Sequence, residues 1–371
     1  MKAFLCDFVS HCPRFSLDQN DSLEWLKQFH EKYQRAKFLD GYERVSKYIE
    51  KFGVGNHHIN RRQSYVQNVN SFNWTDYFFN EEDLNPTLDR RSEKSQQVFE
   101  EIFNDFYHED SNMPEHIFHA TCTHYNSPSA PQLLVQEKRC PTMVTHLYHM
   151  GCYAALPAVR CASAQVQSGA GHVDIVNSEI CSIHLNPEKF TPEQIVVQSL
   201  FSDGAIKYSC LNEETFNRSH SDGLEVLALK EIIIPDTANE MTWKLGQHRF
   251  NMTLSKKLPK ILENILEAYC VDLFSKAGLN YHDAKNETEF AIHPGGPQII
   301  SSIQKTLSLE DVQVENSQLI LKQYGNMSSA TLPHIWAKVT KSNYKYIATM
   351  AFGPGLTVTG GIFKVWKKYS S

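Results

Sequence analysis

Three short segments hold residue types suited to acyl-transfer chemistry, and they lie far apart along the chain. In the first, His149-Met150-Gly151-Cys152-Tyr153-Ala154-Ala155-Leu156, an apolar stretch at 142–148 runs into a glycine, then a cysteine, then small residues. Glycine permits a tight strand-to-helix turn. Such a turn sets the sulfur at a helix N-terminus, where unpaired N–H groups and the dipole lower a thiol's pKa. The alternative is a buried cysteine that only fills space. In the second, Ala291-Ile292-His293-Pro294-Gly295-Gly296-Pro297, a histidine closes a strand and the residues behind it forbid regular structure. An imidazole at that tip can take the cysteine proton and return it to a reacting oxygen; a plain turn histidine is the alternative. In the third, Tyr324-Gly325-Asn326-Met327-Ser328-Ser329-Ala330, Asn326 is either a helix N-cap or an amide donor for an oxyanion. Each is explicable singly, but Cys, His and Asn in that order suggest one site.

The elements that must position them read as a layered α/β protein from residue 116 onward. Strands are expected at 116–122, 143–146, 173–176, 226–234 and 290–292, with a helix from 152 to about 167. A long helix is expected at 259–277, another at 297–307, and a closing antiparallel pair at 346–352 and 356–365 around Gly353-Pro354-Gly355. Stretches 116–210 and 290–365 share a strand–turn–helix plan, a hint of two related halves. Residues 1–115 are polar and aromatic. There, apolar spacing predicts one helix over 23–52, through Leu26, Phe29, Tyr33, Phe38, Tyr42, Val45 and Ile49, and a second over 93–107.

Bulk properties exclude several classes of function. The chain has 371 residues, 41% hydrophobic and 21% charged, as in ordinary soluble proteins. A net charge of −6 gives no overall basic field for nucleic acid or an anionic membrane. No apolar run approaches the roughly 20 residues that span a bilayer. The nine cysteines are odd in number and include no C-x-x-C pair, which argues against structural zinc or disulfides and for a reducing cytoplasm.

The motifs resemble those of the chalcone-synthase-like family, the type III polyketide synthases of the thiolase fold. The likeness runs from about residue 116 to 366. It includes Ser178-Glu179-Ile180, Leu200-Phe201-Ser202-Asp203-Gly204-Ala205, His293-Pro294-Gly295-Gly296-Pro297, Tyr324-Gly325-Asn326-Met327-Ser328-Ser329-Ala330 and Phe352-Gly353-Pro354-Gly355-Leu356-Thr357. It implies a five-layered αβαβα fold of two halves, with the N-terminal helices as an added cap. Residues 1–236 would carry the nucleophile, and residues 237–371 the histidine and asparagine. Cys152 would hold the acyl group as a thioester, while His293 and Asn326 stabilise the enolate or oxyanion. Phe201 and Phe250 fall where the family has gatekeeping phenylalanines, and Ser328 where it shapes the cavity. Arg61 and Arg62 sit near residues that hold CoA phosphates, and the C-terminal lysines could meet an acidic acyl carrier protein. The family also implies a homodimer and no metal or bound cofactor.

This sequence departs from the plant pattern. His184 stands for a threonine and Met241 for a glycine, which narrows the expected pocket. The stretch 119–129, with Cys181-Ser182-Ile183-His184-Leu185, is more similar to bacterial relatives that join two acyl chains into α-pyrones. Several of those use a glutamate base where Asn126 falls here, so either decarboxylation supplies the carbanion or His124 or His184 removes the proton. The expected function is a condensing acyltransferase using malonyl-CoA or a β-ketoacyl thioester on CoA or carrier protein. The alternatives are one condensation of two preformed chains, or a silent acyl-binding subunit.

Overall fold

The computed structural model of the chain describes residues 2–37, 41–68, 78–79, 83–108 and 112–368. Strands among them are β1 (Ala3–His11), β2 (Phe15–Asp18), β3 (Arg61–Ser64), β4 (His116–Thr121), β5 (Met143–Tyr148), β6 (His172–Ile180), β7 (Asp203–Asn212), β8 (Gly223–Ile233), β9 (Met241–Leu245), β10 (Phe250–Leu254), β11 (Thr288–Ile292), β12 (Tyr346–Gly353) and β13 (Thr357–Trp366). Nine of them form one sheet in the order β11-β12-β13-β8-β1-β7-β6-β4-β5.

Outward from the β1–β8 seam, the two wings repeat one pattern. β1–β7 and β8–β13 are antiparallel, as are β7–β6 and β13–β12, and β6–β4 and β12–β11 are parallel. The first wing adds β5, parallel to β4. The seam itself is short, pairing Phe4 with Glu225 and Leu5 with Leu224. Helices Ala155–Gln167 and Thr331–Val339 share one core with strands of both wings, through Leu156, Val159, Ile335 and Trp336 among others. Helices Leu266–Lys276 and Pro297–Thr306 cover the second wing, and Leu88–Phe106 and Ala130–Lys138 the first. This is the expected αβαβα layering of two related halves. Because helices cover both faces, β4 and β11 are buried at every position and read as continuous rather than alternating runs.

Three elements differ from the sequence reading. β1 runs through the middle of the sheet, although the polar N-terminal segment predicts only helices. Its alternation is broken by a bulge at Asp7, where φ is 54° and the register with β7 shifts between Cys6 and Val9. The helix expected at 23–52 is two, Gln19–Ala36 and Tyr42–Phe52, with Asp18 capping the first and Gly41 opening the second; Phe38 lies outside the described residues. The helix expected at 259–277 is also two, Leu258–Glu263 and Leu266–Lys276, parted at Asn264-Ile265. There, Ile265 leaves helical φ at −119°. No helix among the described residues is long and apolar enough to cross a membrane.

The core holds an unusual number of neutral imidazoles. Burial depresses His30, His124 and His334 to about 4 and His184 and His293 to about 3, and holds His119 well below its usual value. An unfolded chain protonates each near pH 6.5, so unfolding takes up protons as pH falls below that point. Each such group lowers stability by up to about 1.4 kcal/mol per pH unit until its folded pKa is reached. Asp203, raised to about 6 by burial, holds a proton that the unfolded chain releases, and offsets one of them. Thermal melts should therefore show Tm falling steeply from pH 6.5 to 5, with several protons taken up per unfolding event. A flat Tm over that window would contradict it.

Candidate active site

Cys152 lies in the turn at 152–154, ahead of helix Ala155–Gln167. Gly151 before it has φ +91°, and a Cβ there would stand 2.6 Å from Pro354 Cδ, so only glycine fits. Its N–H donates to the Cys122 sulfur at 2.8 Å. Asn326 occupies the matching place in the other wing, ahead of helix Thr331–Val339. It bridges Phe201: its N–H donates to the Leu200 carbonyl at 3.0 Å and its carbonyl accepts the Ser202 N–H at 2.8 Å. Its Oδ1 accepts the Ser328 N–H at 2.8 Å and the Thr331 hydroxyl at 3.4 Å. With the oxygen so engaged, Nδ2 is the end left without an acceptor.

His293 directly follows β11. Its N–H donates to the Met350 carbonyl at 2.8 Å, and Gly295 N–H closes a tight turn onto the His293 carbonyl at 2.9 Å. Three residues past Met350, Gly353 packs so closely on Tyr153 that a Cβ would lie 2.0 Å from its ring. His293 therefore reaches the same end of the sheet as Cys152. Its ring is fully buried, with neither nitrogen bonded. Buried nitrogens without partners are rare in folded proteins. Neither His293 nor Asn326 is among the residues that line the cavity Cys152 opens into.

Electrostatics here differ from the sequence expectation. Burial pushes the Cys152 thiol up to about 12, against the opposing pull of the Ser328 hydroxyl and the Asn326 carboxamide beside it. The helix proper begins only at Ala155, so its dipole does not outweigh desolvation. Burial also favours neutral His293. Taken separately, each group rests uncharged. A thiolate then requires the proton to pass to a base as the substrate arrives.

Cys152 and Ser328 line a pocket whose empty space, open solvent at the mouth included, is about 830 Å³. Phe201, Phe250, Met241, His184 and Arg62 also line it. His184 offers no base: its Nε2–H donates to the Thr123 carbonyl at 2.7 Å, and its Nδ1 accepts the Phe250 N–H at 3.3 Å. His124 and Asn126 do not line this cavity, contrary to expectation. They face helix Leu88–Phe106, His124 bonding Ser92 at 3.2 Å and Gln96 at 3.2 Å, and Asn126 accepting from Ser92 at 3.0 Å. The arginine pair divides as the pleat of β3 dictates. Arg61 is exposed, whereas Arg62 turns inward and donates to Gln19 at 2.8 Å and to the carbonyls of Gln198 at 3.0 Å and Phe201 at 2.9 Å. Arg62 thus anchors the cavity wall rather than presenting its guanidinium to a surface phosphate.

Residues 225–365 match the model for the chalcone and stilbene synthase C-terminal domain. The chain is 31% identical over 220 residues to probable polyketide synthase 1 of Dictyostelium discoideum, covering 58% of this chain and 7% of that protein. It is 30% identical over 227 residues to type III polyketide synthase C of Arabidopsis thaliana, covering 59% and 58%. Its fold matches the crystal structure of the C-terminal type III polyketide synthase domain of Steely1, a type I/III hybrid from Dictyostelium. That match has a TM-score of 0.82 at 24% identity and covers 98% of this chain and 99% of the other. Over these stretches the chain is similar to the chalcone synthase-like proteins, and its fold is theirs. The matched stretch spans less than two-thirds of the length of either sequence relative.

The sequence by itself gives no role to Glu179 on β6. Fully buried, it accepts from Cys122 N–H at 3.0 Å, the Thr121 hydroxyl at 3.3 Å and the Thr123 hydroxyl at 3.0 Å on one oxygen. The other oxygen accepts from the Ser329 N–H at 3.3 Å and its hydroxyl at 2.5 Å. It thereby ties the loop after β4 to the turn that carries Ser328. An acid inside an otherwise buried strand was the available signal, because such a charge must have partners. Cys122, Cys181 and Trp243 also line the cavity, and no local pattern marks them.

Proposed function

We propose that the chain is a type III polyketide synthase-like condensing enzyme. Cys152 accepts an acyl group from a CoA thioester, and a malonyl-CoA unit then loses CO₂ and attacks that thioester carbonyl. The observation that carries this reading is the Cys152 sulfur set in a cavity beside a carboxamide whose N–H has no acceptor. Decarboxylation builds negative charge on the malonyl thioester oxygen, and neutral donors in a dry site stabilise it without being consumed. His293 takes the thiol proton as Cys152 attacks, returns it to the departing CoA sulfur, and, neutral again, serves as a donor to the enolate oxygen.

The source of the carbanion favours malonyl extension over joining two preformed chains. No Asp or Glu lines the cavity among the described residues, and both ring nitrogens of His184 are engaged. With no carboxylate and no free His184 nitrogen lining the cavity, loss of CO₂ is the favoured route to the carbanion. CoA is the favoured carrier over an acyl carrier protein. The C-terminal lysines are largely engaged locally: Lys345 pairs with Glu287 at 3.2 Å, Lys367 with Asp222 at 3.8 Å, and Lys368 bonds the Phe216 carbonyl at 2.8 Å. By family likeness we take the working form as a cytoplasmic homodimer without a metal or bound cofactor.

Incubation with an acyl-CoA, with and without malonyl-CoA, tests this. The expected result is an acyl adduct on Cys152 by intact-mass spectrometry, and released product only when malonyl-CoA is present, longer by whole two-carbon units. Product from acyl-CoA alone would favour the two-chain reaction, and no adduct at all would favour a silent acyl-binding subunit.

A further inference from the structure

The roof of the cavity is the β9–β10 hairpin, a two-stranded sheet separate from the large one. It contributes Met241, Trp243 and Phe250 to the lining. Near its base, Trp243 Nε1–H donates to the Cys122 carbonyl at 2.7 Å. The tip, Gly246-Gln247-His248, is followed at once by Arg249 and then by Phe250, whose ring stacks on His184 at 4.6 Å. Whatever holds Arg249 therefore holds Phe250 over the cavity.

Arg249 is held by a small charged cluster at the edge of the N-terminal cap. Its Nη1 donates to Glu188 Oε2 at 3.1 Å and to the Asn186 side chain, and its Nη2 donates to Asn85 Oδ1. Glu188 in turn accepts from the Tyr33 hydroxyl at 3.2 Å and Asn85 Nδ2 at 3.2 Å. A second guanidinium, Arg91, donates to the same Asn85 oxygen at 3.4 Å and is itself buried. Two like charges thus meet across one carboxamide. Glu188 is the sole carboxylate bonded to Arg249 among the described residues. The pair is lopsided in solvent: the Arg249 side chain is 3% exposed and that of Glu188 44%. Salt and water therefore reach the acid while the base stays inside.

Resting on the function proposed above, we propose that the Glu188–Arg249 pair latches the cavity roof. The two are positioning residues that set which acyl chains enter. Closed, the latch seats Phe250 against His184 and narrows the space beside Cys152. Without the Glu188 charge, only Asp83, on the Arg91 side, offsets the repulsion between Arg249 and Arg91, the hairpin tip moves away, and bulkier or longer acyl chains gain access.

The test uses the full chain and reads access separately from catalysis. Alkylation of Cys152 by a small and a bulky maleimide is followed by peptide mass spectrometry at low and high salt. Glu188→Gln keeps the side chain's shape and removes its charge. It should speed bulky-reagent alkylation about three- to fivefold, the effect of losing one partly exposed ion pair on the open population. Wild type should speed up with salt while Glu188→Gln stays flat, because only the former has a pair to screen. Arg249→Gln provides a second variant, with the same loss of salt response. In turnover, both variants should lower KM for long acyl-CoA relative to short, more than they change kcat. Equal alkylation rates and equal salt response in all three proteins would overturn the latch. If access behaves as stated but no acyl-CoA is used, the latch stands and the functional reading falls. If acyl-CoA is used but access is unchanged, the reverse holds.

Discussion

Cys152→Ala is expected to leave a folded protein that takes up no acyl group and turns over at least about 10⁴-fold more slowly. Loss of the nucleophile removes the covalent route entirely, leaving only binding and the donor groups. The fold should survive because one small side chain is removed at a cavity wall, at a cost of about 1 kcal/mol. The constraints around it do not involve the sulfur: Gly151 packs on Pro354, and its N–H bonds Cys122. Cys152→Gln separates the two half-reactions. Its carboxamide oxygen can stand where the acyl thioester carbonyl would, facing the open Nδ2 of Asn326, so malonyl-CoA should still lose CO₂ without condensing. Intact-mass loading, CO₂ release and product formation, measured on each variant, check the three parts. Full turnover by Cys152→Ala would remove the basis for the whole assignment.

What could be read beforehand follows from how local each constraint is. The strand end at His293 and the turn at Asn326 were legible because tight turns demand glycine and proline at fixed places, and those residues announce themselves. The two-wing plan was legible because buried strands and the small-residue helix after Cys152 carry continuous apolar runs. β1 was not, because the bulge at Asp7 breaks the alternation that would have marked it. Arg62 was placed near the right chemistry with the wrong orientation. Which of two adjacent residues on a strand faces inward depends on register, which neither residue type reveals. Asn126 falls where two-chain relatives carry a glutamate base, with His124 on the same segment as a substitute, but the loop after β4 turns both onto helix Leu88–Phe106. The thiol was expected to be acidic from its place near a helix. The depth of burial, a property of the whole assembly, decides otherwise.

Asn326→Asp and His293→Ala are the variants in which the two supporting groups come apart. Asn326→Asp preserves shape while turning a donor into a buried acceptor beside the sulfur. Both the thiolate and the enolate oxygen would then face a carboxylate or a proton that must first be placed. Loss of one positioned oxyanion donor is worth about 10²–10³ in rate, and the added repulsion should carry acyl loading and decarboxylation down together. In the proposed mechanism, His293→Ala removes a donor and also the acceptor of the Cys152 proton, with about 10²–10⁴ expected from the proton transfer alone. Its signature lies in the pH dependence. With the thiol near 12 by itself, acyl loading in His293→Ala should rise about tenfold per pH unit from pH 7 to 9, because only the free thiolate reacts. Wild type, passing the proton internally, should show no such slope. Stopped-time mass spectrometry of the acyl adduct across that range distinguishes them, and parallel slopes in the two proteins would remove His293 from the proton path. The double variant should be less than additive, since both groups serve the same developing charge.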